Sequence, residues 1–259
     1  MSLNPQILDW RARRCWIVGA STGIGAALAE RLAGLGACVA LSARRAGPLE
    51  EMAQRFGPRN ALSLPLDIRD SHAMLGAAQA IVSAWGGIDL AIFMAGDYKP
   101  MRAWQLDLEG ARSMIDTNLM GFFNGIAAVA PNLLKQGNGH IALVSSVAGY
   151  RGLPKGLVYG PTKAALINLA ETLYLDLRPK GIGVSVVNPG FVKTPLTAQN
   201  DFRMPALITA EEAAREIVAG LEEGEFEIHF PKRFTRVLRL LRLLPYSLYF
   251  PAIRRLTGQ

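Results

Sequence analysis

The sequence predicts an α/β chain folded as one doubly wound parallel sheet, and three observations predict it. Short β-rich apolar runs alternate with longer helical stretches, the pattern of a parallel sheet covered on both faces. The chain has 259 residues, of which 50% are hydrophobic, enough to bury a core in a single domain. A glycine-rich turn follows the first apolar run and opens the first helix, and right-handed crossovers then place ligands at the carboxyl ends of the strands.

Seven strands are expected, at CWIVGA (15–20), ACVALSA (37–43), NALSLPL (60–66), IDLAIFMAG (88–96), HIALVSS (140–146), IGVSVVNPG (182–190) and FEIHF (226–230). Helices are expected on both faces, over 24–35, 47–56, 71–84, 106–135, 163–177 and 210–221. Residues 1–230 form the predicted catalytic domain and 231–259 a basic, apolar C-terminal extension. No apolar run reaches the length of a membrane span, and no apolar core follows the charges of MSLNPQILDWRARR, so a signal peptide is not expected.

Two cysteines, Cys15 and Cys38, fall in neighbouring strands and read as small buried hydrophobes of a reducing compartment, which points to the cytoplasm. The histidines at 72, 140 and 229 match no ligand spacing, and no metal site is expected. The net charge of +7 resembles a nucleic-acid signal until it is located along the chain. Of 28 basic residues seven follow Glu227, where there are no acids, and the remaining 21 balance the 21 acids. The excess belongs to the tail, and no nucleic-acid partner is expected.

VGASTGIG carries the first chemistry. Gly19 permits a tight turn, Gly23 a close approach of backbone to a pyrophosphate, and Gly25 close packing of helix on strand. The N–H groups of the helix start, around Ser21, Thr22 and Ile24, then face the phosphates of a dinucleotide in a Rossmann-type domain. An acid about 20 residues on would hold the ribose 2′-hydroxyl of NAD. Here that place reads LSARRAG, with Ser42, Ala43, Arg44 and Arg45, and a guanidinium suits a 2′-phosphate. NADP is favoured over NAD; the alternative is a solvated arginine pair.

YGPTK sets Tyr159 one helical turn before Lys163, with Pro161 near the helix start and Leu166, Leu169, Ala170, Leu173 and Leu177 on one stripe. A cation about 4 Å from a phenol, at an effective dielectric near 20, is worth roughly 4 kcal/mol, or about three pKa units. That would bring a tyrosine toward neutral pH, against a desolvation cost. Ser145 and Ser146 end the fifth strand, as substrate hydrogen-bond donors or as strand caps. Asn118 is an amide on an apolar helix, placed to satisfy a backbone group or hold a water.

Together these motifs, in this order, resemble the short-chain dehydrogenase/reductase family from the first strand to about Leu221. The resemblance selects Ser146 over Ser145 and implies a catalytic tetrad of Asn118, Ser146, Tyr159 and Lys163. It implies adenine contacts at Asp67 and Ile68, a cofactor wall at Ala95 and Gly96, and nicotinamide contacts along NPGFVKT at Pro189, Gly190, Val192 and Thr194. Three positions depart from the family pattern: Val18 before the first glycine, Thr22 where a basic residue is frequent, and Phe93-Met94 in place of two asparagines. The implied reaction is hydride transfer, with Tyr159 protonating a carbonyl oxygen that Ser146 holds, while Lys163 lowers the phenol's pKa and binds the nicotinamide ribose. Asn118 would support a water leading to the lysine.

Phe191, Leu196, Phe202 and Met204 suggest an apolar lid over a hydrophobic carbonyl or secondary alcohol. The competing class is a non-catalytic NADPH sensor or scaffold on the same fold, which carbonyl turnover would separate. The long apolar helices resemble those through which family members form dimers and tetramers. In the tail, Phe234, Val237, Leu238, Leu241 and Leu244 are expected on one helical face with Lys232, Arg236, Arg239 and Arg242 largely opposite. That pattern fits either a helix in a membrane interface, where each basic residue adds about 1 kcal/mol near anionic lipid, or a helix packed on its own subunit or a partner.

Overall fold

The computed structural model describes residues 2–199 and 204–258. Seven parallel strands, β1 (Arg14–Val18), β2 (Cys38–Ser42), β3 (Ala61–Ser63), β4 (Leu90–Phe93), β5 (Gly139–Val144), β6 (Ile182–Pro189) and β7 (Glu227–Phe230), form one sheet in the order β3-β2-β1-β4-β5-β6-β7. The order reverses between β1 and β4, which opens a crevice at their carboxyl ends. β3 is shorter than expected because Pro65 has no N–H to give, although Leu64 and Leu66 still donate to Leu41 and Ala43.

The strand period of two divides the core. Cys15 and Ile17 of β1 pack with α1 (Gly23–Gly34), α2 (Ala46–Phe56) and α7 (Ala210–Glu223), whereas Trp16 and Val18 pack on the opposite face. That opposite face holds α3 (Ser71–Trp85), α5 (Gly121–Gln136) and α6 (Tyr159–Leu177). Each large apolar side chain buried there contributes roughly 1.5–3 kcal/mol.

The expected 106–135 helix is interrupted. Asp107 accepts from the Gly110 N–H and starts α4 at Leu108; α4 (Leu108–Ile115) passes through a π-helical turn, Asp116–Met120, into α5. α6 begins at Tyr159 rather than Lys163, with Pro161 in its first turn, where a missing N–H costs little.

The tail forms two helices, α8 (Lys232–Arg242) and α9 (Tyr246–Thr257), because Pro245 ends the first pattern and begins the second. The expected apolar face is therefore corrected. Phe234 and Leu238 pack on the core, but Val237 is exposed, and exposed Leu240 and Leu243 share the outside with arginines. Among the described residues no helix is long and apolar enough to cross a membrane.

Candidate active site

The carboxyl ends of β1, β2, β4, β5 and β6 enclose a cleft of about 950 Å³. At one end the turn after β1 approaches the chain after β4. Gly19 has φ +106°, and a Cβ there would lie 2.7 Å from the Ala95 nitrogen. A Cβ on Gly25 would strike the Gly19 carbonyl oxygen and come within 2.9 Å of the Met94 sulfur. Thr22 stands at the N-cap of α1 but makes no side-chain cap, so the first-turn N–H groups face the cleft uncapped by it. This cradle fits a dinucleotide pyrophosphate, and a side chain at Gly19 or Gly25 would push apart the packed chain that shapes it.

Ser21, Thr22, Gly23 and Ile24 line the same end, as do Arg44 and Arg45 beyond β2. Both arginines are exposed, and Arg44 is close enough to Asp67 to help lower the pKa of its carboxyl. Ser42 is buried and accepts from Trp16 Nε1 at 2.9 Å, which removes it from the cleft. Asp67 and Ile68 form the neighbouring wall. Arg69, which the motif pattern did not mark, also lines it and grips Asp67 through Nε at 3.1 and 3.0 Å and a terminal nitrogen at 2.6 Å. That grip holds the Asp67 carboxyl below the usual carboxylate range.

At the other end stand Ser146, Tyr159 and Lys163. Ser146 Oγ accepts from the Ala148 N–H at 3.1 Å and lies beside Tyr159, whose phenol pKa it acts to lower. Ser145 also borders the cleft, but its hydroxyl is committed to the Lys163 carbonyl at 2.6 Å and straps β5 to α6, which leaves Ser146 as the serine beside Tyr159. Lys163 Nζ donates to the Val144 carbonyl at 3.0 Å and lies 5.6 Å from the centroids of both Tyr159 and Phe122.

The charge effect expected of this pair is not the dominant one. Burial pushes Tyr159 up to about 12, against the lowering influence of Ser146, and Tyr98 adds to the rise. Burial also brings Lys163 down to about 7. Desolvation is the largest influence on both groups, with the ammonium 5.6 Å from the centre of the phenol ring.

Asn118 does not line the cleft; it is fully buried in the π-helical turn. Its Oδ1 accepts from the Asp97 N–H at 2.7 Å, and its Nδ2 donates to the Asp97 carbonyl at 2.8 Å and to Thr162 Oγ1 at 3.4 Å. Thr162 Oγ1 in turn donates to the Tyr159 carbonyl at 2.8 Å. The amide thus ties the loop after β4 to the first turn of α6, and the expectation of a backbone partner is the one the side chain meets. Tyr98, next in that loop, packs edge-on against Tyr159 with ring centroids 4.9 Å apart.

Ala95 and Gly96 close the floor, and Pro189, Gly190, Val192 and Thr194 the far wall. Phe93, where the family pattern has an asparagine, is buried edge-on against Trp16, and Gly125 leaves room for its ring. Of the expected lid, Leu196 lines the cleft, whereas Phe191 stacks on Phe234 of α8 with centroids 5.4 Å apart. Phe202 lies outside the described residues. Among the described residues no group of three or more histidine, cysteine or acidic side chains is placed to hold a metal.

A glycine cradle at a topological switch point, facing a serine, tyrosine and lysine gathered across one cleft, defines a class of dinucleotide-dependent oxidoreductases. Residues 13–204 match the short chain dehydrogenase family, and the chain belongs to that family. It is 35% identical over 246 residues to an oxidoreductase of Myxococcus xanthus, covering 94% of this chain and 97% of the relative. An oxidoreductase of Staphylococcus epidermidis is 32% identical over 209 residues, covering 80% and 90%. The fold superposes with a TM-score of 0.83 on a short chain dehydrogenase/reductase from Burkholderia phymatum solved in complex with NAD, at 24% identity and covering 90% and 94% of the two chains.

Proposed function

We propose that this protein is an NADP(H)-dependent oxidoreductase acting between a carbonyl and a secondary alcohol on an apolar substrate. The observation that carries the reading is the gathering of Ser146, Tyr159 and Lys163 on the lining of one cleft with the glycine cradle at its other end. The nicotinamide supplies the hydride when bound.

The chain's own residues do the rest. Tyr159 keeps its proton across the physiological range and gives it to the substrate oxygen in the reductive direction. Ser146 donates to that oxygen as charge develops on it. Lys163 binds the ribose hydroxyls, and Asn118 holds the loop at Asp97 against α6 and supports a water beside the lysine. Gly19, Gly23 and Gly25 admit the pyrophosphate, while Asp67 and Ile68 flank the adenine.

Arg44 and Arg45 favour the 2′-phosphate and hence NADP over NAD. The apolar choice of substrate rests on Leu196 and the neighbouring wall at Val192. Residues 1–230 act as the catalytic unit in the cytoplasm, with 231–259 appended to it. Exposed Phe123 and Leu134 on α5 and Leu175 on α6 support a homodimer or homotetramer.

Fluorescence titration with NADPH and NADH, then turnover on a panel of apolar carbonyls, tests the reading. Tyr159→Phe should bind NADPH as the parent does and lose turnover; a variant that keeps near-normal kcat overturns the assignment.

A further inference from the structure

The last two helices carry leucines and arginines interleaved on their outer side. On α8, Arg233, Val237 and Leu240 share a face by helical spacing, and Arg236, Leu240 and Leu243 continue it. Val237 is 51% exposed, Leu240 67% and Leu243 80%, whereas Phe234 and Leu238 turn inward onto the core. On α9, Tyr249 and Ile253 are buried while Leu248, Phe250 and Leu256 are exposed beside exposed Arg254 and Arg255. We propose that this outer side docks on an anionic lipid surface, with α8 and α9 lying along the headgroup layer.

Charge complementarity selects that occupant. No acid follows Glu227, so the surface carries one sign of charge, while the rest of the chain is balanced. Anionic headgroups attract such a cluster, and leucines set among the arginines enter the acyl boundary while the guanidiniums stay at headgroup level. A second copy of this chain is the poorer fit. A two-fold contact presents the same patch twice and would set arginines against arginines with no acids from the tail between them.

The surface is held in place rather than trailing as a loose arm. Arg151, in the loop between Ser146 and Tyr159, donates to the carbonyls of Leu241 at 3.2 Å, Arg242 at 3.4 Å and Leu244 at 2.6 Å, at the C-terminal end of α8. Its guanidinium lies 4.0 Å from the Tyr249 ring centroid and 4.6 Å from that of Tyr246, and Tyr249 donates to the Gly152 carbonyl at 2.8 Å. A prefolded patch loses less conformational freedom on docking than a disordered one.

Co-sedimentation of the full chain with phosphatidylcholine vesicles, with and without phosphatidylglycerol, tests the proposal and needs neither cofactor nor turnover. Pelleting is expected with the anionic vesicles only, and raised salt should suppress it. The Leu240→Glu/Leu243→Glu variant should lose binding by about tenfold or more. Arg233→Gln/Arg236→Gln, which leaves the apolar residues in place, should also weaken it, with unchanged thermal unfolding showing that both variants fold. Equal pelleting with neutral vesicles, or none with either, overturns the proposal. So does concentration-dependent self-association that the leucine variant abolishes, which would assign the surface to a second copy.

Discussion

Lys163 Nζ lies 5.6 Å from the centre of the Tyr159 ring, one helical turn on, and burial drives both groups toward their neutral forms. The lysine is the more consequential of the two, because a value of about 7 puts its charge change at physiological pH.

The first prediction follows by linkage. The folded-state value of Lys163 is depressed from 10.5 to about 7, so between those limits the unfolded chain holds a proton that the folded chain has lost. Stability therefore rises with pH through that window, and the penalty for burying the ammonium is fully present below it. From pH 7 to about pH 9 the lysine should add on the order of 2 kcal/mol. Urea unfolding of the unliganded protein at the two values, compared with Lys163→Met, measures it. The parent's stability should gain relative to the variant's on going up in pH, and parallel pH dependences would refute the buried-lysine account.

Tyr159 should ionise late. With its phenol pushed up to about 12, the absorbance difference between the parent and Tyr159→Phe should show no tyrosinate up to the ordinary tyrosine value of 10 in the unliganded protein. A limb near neutrality in the pH dependence of turnover then belongs to Lys163. A tyrosinate signal near pH 7 would restore the simple pairing that the motif spacing suggests.

Asn118→Ala should be costly for a residue outside the cleft. It leaves the Asp97 N–H and carbonyl without their amide partner in a buried setting, for a loss of about 1–3 kcal/mol. Tyr98 then loses its support against Tyr159, so kcat should fall more than cofactor affinity does. Chemical denaturation and steady-state kinetics on the same preparation separate the two effects.

At the other end of the cleft, replacing both Arg44 and Arg45 by alanine should weaken NADPH binding on the order of 10- to 100-fold. NADH affinity should change little. Equal losses for both cofactors would show that the arginines serve the general field of the cleft rather than a 2′-phosphate.

The fold was legible because each strand is an apolar run punctuated by Gly, Pro or polar residues, and all seven runs formed strands, with ends shifted by a few residues. The residues around the cleft were legible where chemistry is local: the glycine turn, the Tyr159–Lys163 spacing and the paired serines. What could not be read depended on contacts across the sequence. The Asn118 amide meets Asp97 from within a π turn that interrupts the helix, and periodicity carries no sign of that turn. Arg69 grips Asp67 from two residues on, and the motif pattern gave no sign of it because solvated surface pairs share that spacing. Burial, which sets the charge states of Tyr159 and Lys163, belongs to the assembled core and not to their spacing.

Arg151 supplies the last prediction. One guanidinium satisfies three carbonyls at the end of α8, where the helix dipole is negative, and lies over two tyrosine rings of α9. Arg151→Ala removes all of these at once, whereas Arg151→Lys keeps a charge but not the planar fork or the stacking. Both should loosen the tail, alanine more than lysine, while Phe234, Leu238 and the Arg239–Glu227 ion pair still hold α8 as far as Arg239. Trypsin should then cleave after Arg242, Arg254 and Arg255 several-fold faster than in the parent, at unchanged unfolding of the sheet, since local opening costs less than global unfolding. If digestion proceeds at the parent rate, the apolar face of α8 anchors the tail by itself and the Arg151 clasp is dispensable.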